Sequence, residues 1–273
     1  MNSTITRTST SLKPVSRPAF YWTLADALVM AKRNLKQIPR IPEELIFATI
    51  QPIMFVLLFS YVFGGSIQVH GTSYVNYLMA GIFTQTVIFG ATSTGIGLAN
   101  DLQRGLVDRF RSLPMAKSAV LTGRTISDLV RNLFVVAVMW TVGLLVGFRP
   151  QGSLWAWIAA TALLLLTSFA FSWISAAIGL AARSVEAAQS AGFIWLFPLT
   201  FASSAFVPTQ NMPAWLRAFA DHQPVSLIVN AVRGLLLNQP DASTIWQAIA
   251  WCLGILVVFI PLAVLAYGRR TAR

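Results

Sequence analysis

Residues 45–100 form a run of 56 positions without a single Asp, Glu, Lys or Arg. A water-facing helix or strand needs polar residues on at least one face, and stretches such as IFATIQPIMFVLLFSYVF offer almost none. A crossing helix needs about 20 predominantly apolar residues. By that measure the chain holds six candidate spans, at 45–64, 74–99, 126–147, 154–182, 191–207 and 245–267. The fifth is short. The predicted fold class is therefore an all-α membrane protein with six transmembrane helices, and no fixed-period repeat or second soluble domain is evident. The domain reading is 1–18 as a disordered tail, 19–40 as an interfacial helix and 41–273 as the membrane domain.

The cations fix an expected orientation. Of 20 Lys and Arg, 17 fall in 1–44, 100–131, the Arg183 loop and the C-terminal tail, leaving only Arg149, Arg217 and Arg233 in the alternate loops. The positive-inside rule then predicts both termini and the 101–124 segment on the cytoplasmic side. It also accounts for the net charge of +11 without a nucleic-acid partner, for which no basic patch with interleaved aromatics exists. Aromatic residues near span ends (Tyr74, Tyr77, Trp155, Trp157, Trp246, Trp251, Tyr267) are expected to form interfacial belts.

The first 18 residues, MNSTITRTSTSLKPVSRP, are Ser/Thr-rich and basic, with no apolar core of a secretory signal. Between 19 and 38, Phe20, Leu24, Ala27, Leu28, Ala31, Leu35 and Ile38 share one helical face and Lys32, Arg33 and Lys36 the other, until Pro39 and Pro42 end the pattern. Such a helix lies in the membrane interface, packs on the bundle, or does both.

Catalytic and metal motifs are missing. No Lys follows a Gly, so the chain has no G-x-x-x-x-G-K-[ST] phosphate loop, and the single Cys252 with two distant histidines offers no metal cluster. All nine acids are expected outside the spans or at their ends, which argues against an ion-coupled pump. Within the spans the polar residues are uncharged, including Gln85, Thr92, Thr200 and Ser203 beside Phe197 and Phe201. They serve interhelical packing or line a path for an amphipathic substrate; the path residues would be Gln85, Thr92, Phe197 and Phe201.

The segment NDLQRGLVDRFRSLPMAKSAVLTGR interrupts this greasy chain. On a helical wheel Asp101, Arg104, Asp108 and Arg111 share one face in alternating sign, while Leu102, Leu106, Phe110 and Leu113 share the other, until Pro114 ends the pattern. This describes either a solvated loop helix or one that docks its apolar ridge on a partner.

The same segment resembles the membrane subunits of ABC-2 type exporters, in particular the daunorubicin-resistance permease group. The likeness rests on Asp101-x-x-x-Gly105-x-x-Asp108-Arg109 with Ser112-Leu113-Pro114, and on Gly123-Arg124-x-x-x-Asp128 and Gly147-Phe148-Arg149. It continues with Met212-Pro213-x-Trp215, Gln223-Pro224-Val225-Ser226 and Ala231-x-Arg233-Gly234. It covers nearly everything after about residue 20. The resemblance implies two permease subunits, two copies of this chain or one with a relative, and separate ATPase subunits that bind ATP and Mg. This chain would bind no cofactor or metal and catalyse nothing. The implied coupling residues are Asp101, Arg104, Leu106, Asp108, Arg109, Phe110, Arg111, Leu113 and Pro114 on a cytoplasmic coupling helix at 101–114. Residues 208–238 would form short re-entrant helices on the outer side, with Trp215, Arg217 and Arg233 at an outer gate. Drugs or lipids suit this compact form as substrates, and the cytoplasmic membrane of a bacterium is the expected location. A stand-alone secondary transporter or channel, or a membrane scaffold subunit, is the rival reading.

Overall fold

A computed structural model describes residues 42–65, 67, 69, 71–105 and 117–270. The predicted tail at 1–18 and interfacial helix at 19–40 lie outside the described residues. Among those described, every regular element is helical. In chain order they are α1 (Pro42–Leu57, running into a π-helical end at Leu58–Phe63), α2 (Tyr74–Gln103), α3 (Lys117–Val146), α4 (Leu154–Ala181), α5 (Val185–Phe201), a 3-10 turn at Thr209–Asn211, α6 (Ala214–His222), α7 (Pro224–Leu236) and α8 (Ala242–Arg270).

Local chemistry sets the boundaries. Ser73, Ser153 and Ser184 cap α2, α4 and α5, each side-chain oxygen accepting from the backbone N–H three residues on. Gln223 caps α7, whose first residue is Pro224. Gly105 (φ +66°) and Gly147 (φ +106°) take the left-handed backbone just past the ends of α2 and α3, a conformation that costs a side-chain-bearing residue far more.

Helices α2, α3, α4 and α8 are long and apolar enough to cross a membrane, and α7 and the later part of α1 with its π-helical end are shorter apolar helices. The predicted span at 191–207 overlaps α5, 17 residues with Pro198 inside, which starts earlier and ends at Phe201. At 1.5 Å per residue α5 is about 25 Å long, slightly less than a hydrocarbon core. Helix α3 starts nine residues earlier than the predicted span at 126, and this carries the polar residues of 121–132 into the bundle.

Helix α2 is the hub, touching α1, α3, α4, α5 and α7, with α4 its most extensive partner. The α2–α4 contact is backbone on backbone. A Cβ on Gly95 would overlap the Ser175 carbonyl, and one on Gly179 would overlap the Gly95 carbonyl. The Ser175 hydroxyl closes the seam, donating to Thr92 O (3.1 Å) and accepting from Gly95 N (3.2 Å). One apolar core joins α2, α3, α4 and α7 around Phe83, Met139, Phe148, Leu164 and Val229, and a smaller one near the other end of α2 holds Leu98, Leu121, Trp173 and Tyr267.

The expected aromatic belt holds only in part. Trp155 and Trp246 face outward, but Tyr74, Tyr77 and Tyr267 are buried. Tyr74 and Tyr77 donate their hydroxyls to Phe206 O (3.0 Å) and Ser204 O (2.9 Å), so both phenols are satisfied inside the protein and have no need of the interface.

Candidate functional site

The polar residues of α2 repeat along its second half, and the hydroxyls of Thr86, Thr92 and Ser93 fold back onto carbonyls of their own helix. Such local bonds let Ser and Thr live in an apolar helix without a solvent partner. They form one wall of a chamber of about 830 Å³ between α1, α2, α3 and α5. Gln51, Pro52 and Phe55 of α1, Arg124, Arg131 and Asn132 of α3, and Gln189 and Phe193 of α5 complete it.

Two ion pairs brace the α2–α3 side. Arg124 Nη1 lies 2.9 Å from Asp101 Oδ2 at the end of α2. Its guanidinium rests on Gly97, where any Cβ would collide with it, so the glycine is what lets the arginine cross the helix. Deeper in, Asp128 accepts from the Thr94 hydroxyl and sits 3.5 Å from Arg131, which also donates to Gly90 O (2.7 Å) and to Ser93. Asn132 joins this layer to α4 through Ser168 (2.5 Å).

The chamber has a chemical bias. Its wall carries three buried side-chain atoms without a hydrogen-bond partner among the described residues, Gln85 Nε2, Arg124 Nε and Arg131 Nε, and all three are donors. The carboxylates of Asp101 and Asp128 are already engaged. A guest offering acceptor oxygens therefore gains more here than one offering donors, because an unpaired buried donor costs about 1–3 kcal/mol.

An aromatic ladder leaves this chamber. Phe89 on its wall meets Phe197 edge-on (5.2 Å), Phe197 stacks on Phe201 (5.8 Å), Phe201 on Phe206 (5.1 Å), Phe206 on Phe59 (4.6 Å) and Phe59 on Phe63 (5.2 Å). Phe59 and Phe63 both stand on the π-helical end of α1; π-helical turns are frequent at functional sites. Gln85, Thr92, Phe197 and Phe201, read from sequence as path residues, thus belong to one connected chamber and ladder. Arg131, Asn132 and Gln189 were missed as wall residues. For Arg131 and Asn132 the signal was polarity continuing past the expected start of the third span at 126, whereas Gln189 lies just before the expected start of the fifth at 191, on the part of α5 that begins earlier, at Val185.

The acids depart from expectation at Asp128, which is buried in α3 and not outside the bundle. Arg131 three residues on and Thr94 across the interface make that burial tolerable. The 101–114 segment also differs from one continuous helix. Helix α2 ends at Gln103 and Gly105 turns left-handed, so Asp101 closes α2 and pairs with Arg124, while Arg104 is the exposed cap residue. Leu106, Asp108, Arg109, Phe110, Arg111, Leu113 and Pro114 lie outside the described residues.

At the opposite end the three residues expected at a gate stand on two helices. Trp215 and Arg217 sit on the exposed α6, Arg217 paired with Asp221 at 3.4 Å. Arg233, on α7, lies over the Tyr77 ring with Cζ 3.6 Å from its centroid, beside a pocket that neither Trp215 nor Arg217 lines.

Comparison with known proteins agrees with this architecture. The chain matches the ABC-2 type transporter family over residues 26–237. It is 31% identical over 263 residues to the daunorubicin resistance ABC transporter permease protein DrrB1 of Streptomyces coeruleorubidus, covering 96% of this chain and 93% of that protein. It is 27% identical to the probable doxorubicin resistance ABC transporter permease protein DrrC of Mycobacterium tuberculosis, covering 92% and 91%. It is also similar to the inner membrane transport permease YadH of Escherichia coli, at 23% identity over 82% of this chain and 87% of that one. A multi-helix membrane bundle with a polar chamber at its hub, matched along most of its length to these permeases, belongs to the ABC-2 type transporter family.

Proposed function

We propose that this chain is the membrane-spanning permease subunit of an ATP-driven exporter, that a separate ATPase subunit moves it through residues 101–114, and that its chamber admits substrate. One observation carries the reading. Asn100 and Arg124 line the chamber, and Asp101, the next residue, holds Arg124. Motion delivered at 101–114 therefore acts directly on the chamber wall. The chain has no phosphate loop of its own, so ATP and Mg belong to the partner.

In this reading α1 and α5 complete six spans in the cytoplasmic membrane of a bacterium, with both termini and the 101–114 segment inside. The short helices α6 and α7 re-enter from the outer side, and a second permease, this chain again or a relative, completes the assembly. The substrate is amphipathic, a drug or a lipid. Its acceptor oxygens suit the donor-rich wall, and its flat apolar body suits the phenylalanine ladder. The drug-resistance permeases named above support the drug class.

The test is assembly and stimulated turnover. The full chain is co-expressed with a candidate ABC ATPase subunit, purified, and assayed for ATPase stimulation across a panel of drugs and lipids. Asp108→Ala combined with Arg109→Ala should cut co-purification and stimulation at least tenfold while leaving the permease folded. Intact assembly and intact transport in that double variant would sink the docking assignment.

A further inference from the structure

Among the described residues Arg233 is a cation without a carboxylate partner. Its guanidinium has five N–H donors, and three are taken by neutral acceptors: Nε by Tyr77 O (3.1 Å), Nη1 by Asn230 Oδ1 (2.7 Å) and Nη2 by Ser204 O (2.7 Å). The face of Tyr77 supplies a cation–π contact. The acids nearest in the chain are spent elsewhere. Asp221 pairs with Arg217, and Asp241 caps α8 by accepting from Ser243 N (3.2 Å) and Thr244 N (3.0 Å). Among the described residues no carboxylate lies within ion-pair distance of Arg233.

This charge borders a pocket of about 380 Å³ at the end of the bundle remote from Asp101 and Arg124. The pocket is built for polar contact. Thr72 Oγ1 is buried on its wall with no partner among the described residues, and the amides of Asn211, Asn230 and Gln239 line it as well. Neutral acceptors hold the half-buried guanidinium in position but leave its positive charge uncompensated among the described residues, and hydrogen bonds between a cation and an anion are the strong ones. The volume exceeds what a bare oxyanion needs, while the amides can pair with hydroxyls as donors and acceptors.

We propose that this pocket is an oxyanion site taking the phosphate of a polar headgroup, with Arg233 meeting the charge and Thr72 and the amides meeting the remaining oxygens. The site is separate from the chamber, lying about 35 Å along α2 from Asn100 at 1.5 Å per residue, and it stands whether or not the chamber carries substrate. The phosphate belongs to a lipid headgroup or to a soluble molecule, and the experiment separates these sources.

Full-length permease in a maltoside detergent, which carries no phosphate, is titrated with short-chain phosphatidylglycerol, with the matching diacylglycerol, and with inorganic phosphate against chloride at constant ionic strength. The thermal midpoint is read by tryptophan fluorescence. Phosphatidylglycerol is expected to raise the midpoint saturably and diacylglycerol to leave it unchanged. Thr72→Val and Gln239→Leu, which spare the Arg233 brace, should keep the unliganded midpoint and raise the half-saturating concentration roughly tenfold, the effect of losing a hydrogen bond to a charged group. Arg233→Lys should bind more weakly than either. A saturable response to inorganic phosphate as well assigns a soluble phosphate, and a response to phosphatidylglycerol alone assigns the lipid. No response to either, or the same response in wild type and both wall variants, overturns the site.

Discussion

Helices α2 and α8 are both long enough to cross a bilayer, yet they are opposites. Of the four such helices α8 is the most hydropathic, and 17% of its most apolar window is buried; α2 is the least hydropathic, and 78% of its window is buried. In water that order would be reversed. In lipid, hydrocarbon outside competes equally with hydrocarbon inside, so apolar surface gives a helix no reason to sit in the middle. The central place goes to the helix that can bring backbones close and satisfy hydrogen bonds. Helix α2 does so with Gly81, Gly95 and Gly97 and with Thr94, which reaches Asp128. Helix α8 presents Trp246, Val257 and Leu265 outward.

The largest expected effect tests that contrast directly. Gly95→Leu must push α2 away from the Ser175 carbonyl, a clash with backbone that no rotamer relieves. A loss of about 3 kcal/mol or more is expected, seen as aggregation of the purified chain. Gly254→Leu on α8 meets nothing within 4 Å and should change stability by less than about 0.5 kcal/mol. Equal sensitivity at the two positions would break the comparison.

A smaller effect is expected where α2 meets α3. Asp101→Asn strands Arg124, and Gly97→Ala displaces the same guanidinium, so each should cost about 1–2 kcal/mol, between the values for exposed and buried pairs. Because both act on one side chain, the double variant should cost clearly less than the sum in a double-mutant cycle read by thermal unfolding. Additivity within about 0.3 kcal/mol would mean that Gly97 serves something other than seating Arg124.

This division explains what could be read from the sequence. Apolar runs are local signals, and they placed the long helices well, with the starts at 74 and 154 falling where Ser73 and Ser153 cap α2 and α4. The chamber-wall residues Gln85 and Thr92 were legible because they are polar where lipid forbids polarity. What escaped was pairing between distant helices. Nothing local says that Asp128 turns toward Thr94, that Arg124 crosses Gly97 to reach Asp101, or that Tyr77 leaves the interface to stack under Arg233. The 101–114 wheel could not show where α2 stops for a related reason. Periodicity continues through Gly105, but helix α2 ends at Gln103, and that glycine turns left-handed just past its end.

The smallest expected effect lies at the perimeter. Asp241 caps α8, accepting from the Thr244 hydroxyl and backbone N–H and from the Ser243 N–H, and these bonds hold its carboxyl below the usual carboxylate range. A depressed value means that the folded form favours the charged group. The stabilisation is therefore fully present above the ordinary carboxylate value and is lost as pH falls through the folded one. Asp241→Ala should speed amide exchange in the first turn of α8 at neutral pH, and the difference from wild type should vanish in acid. Because α8 packs little of its surface, the opening should stay within that turn. If exchange also rises along α2, the perimeter helix is holding the hub in place, and the separation between interior and rim is weaker than their burial implies.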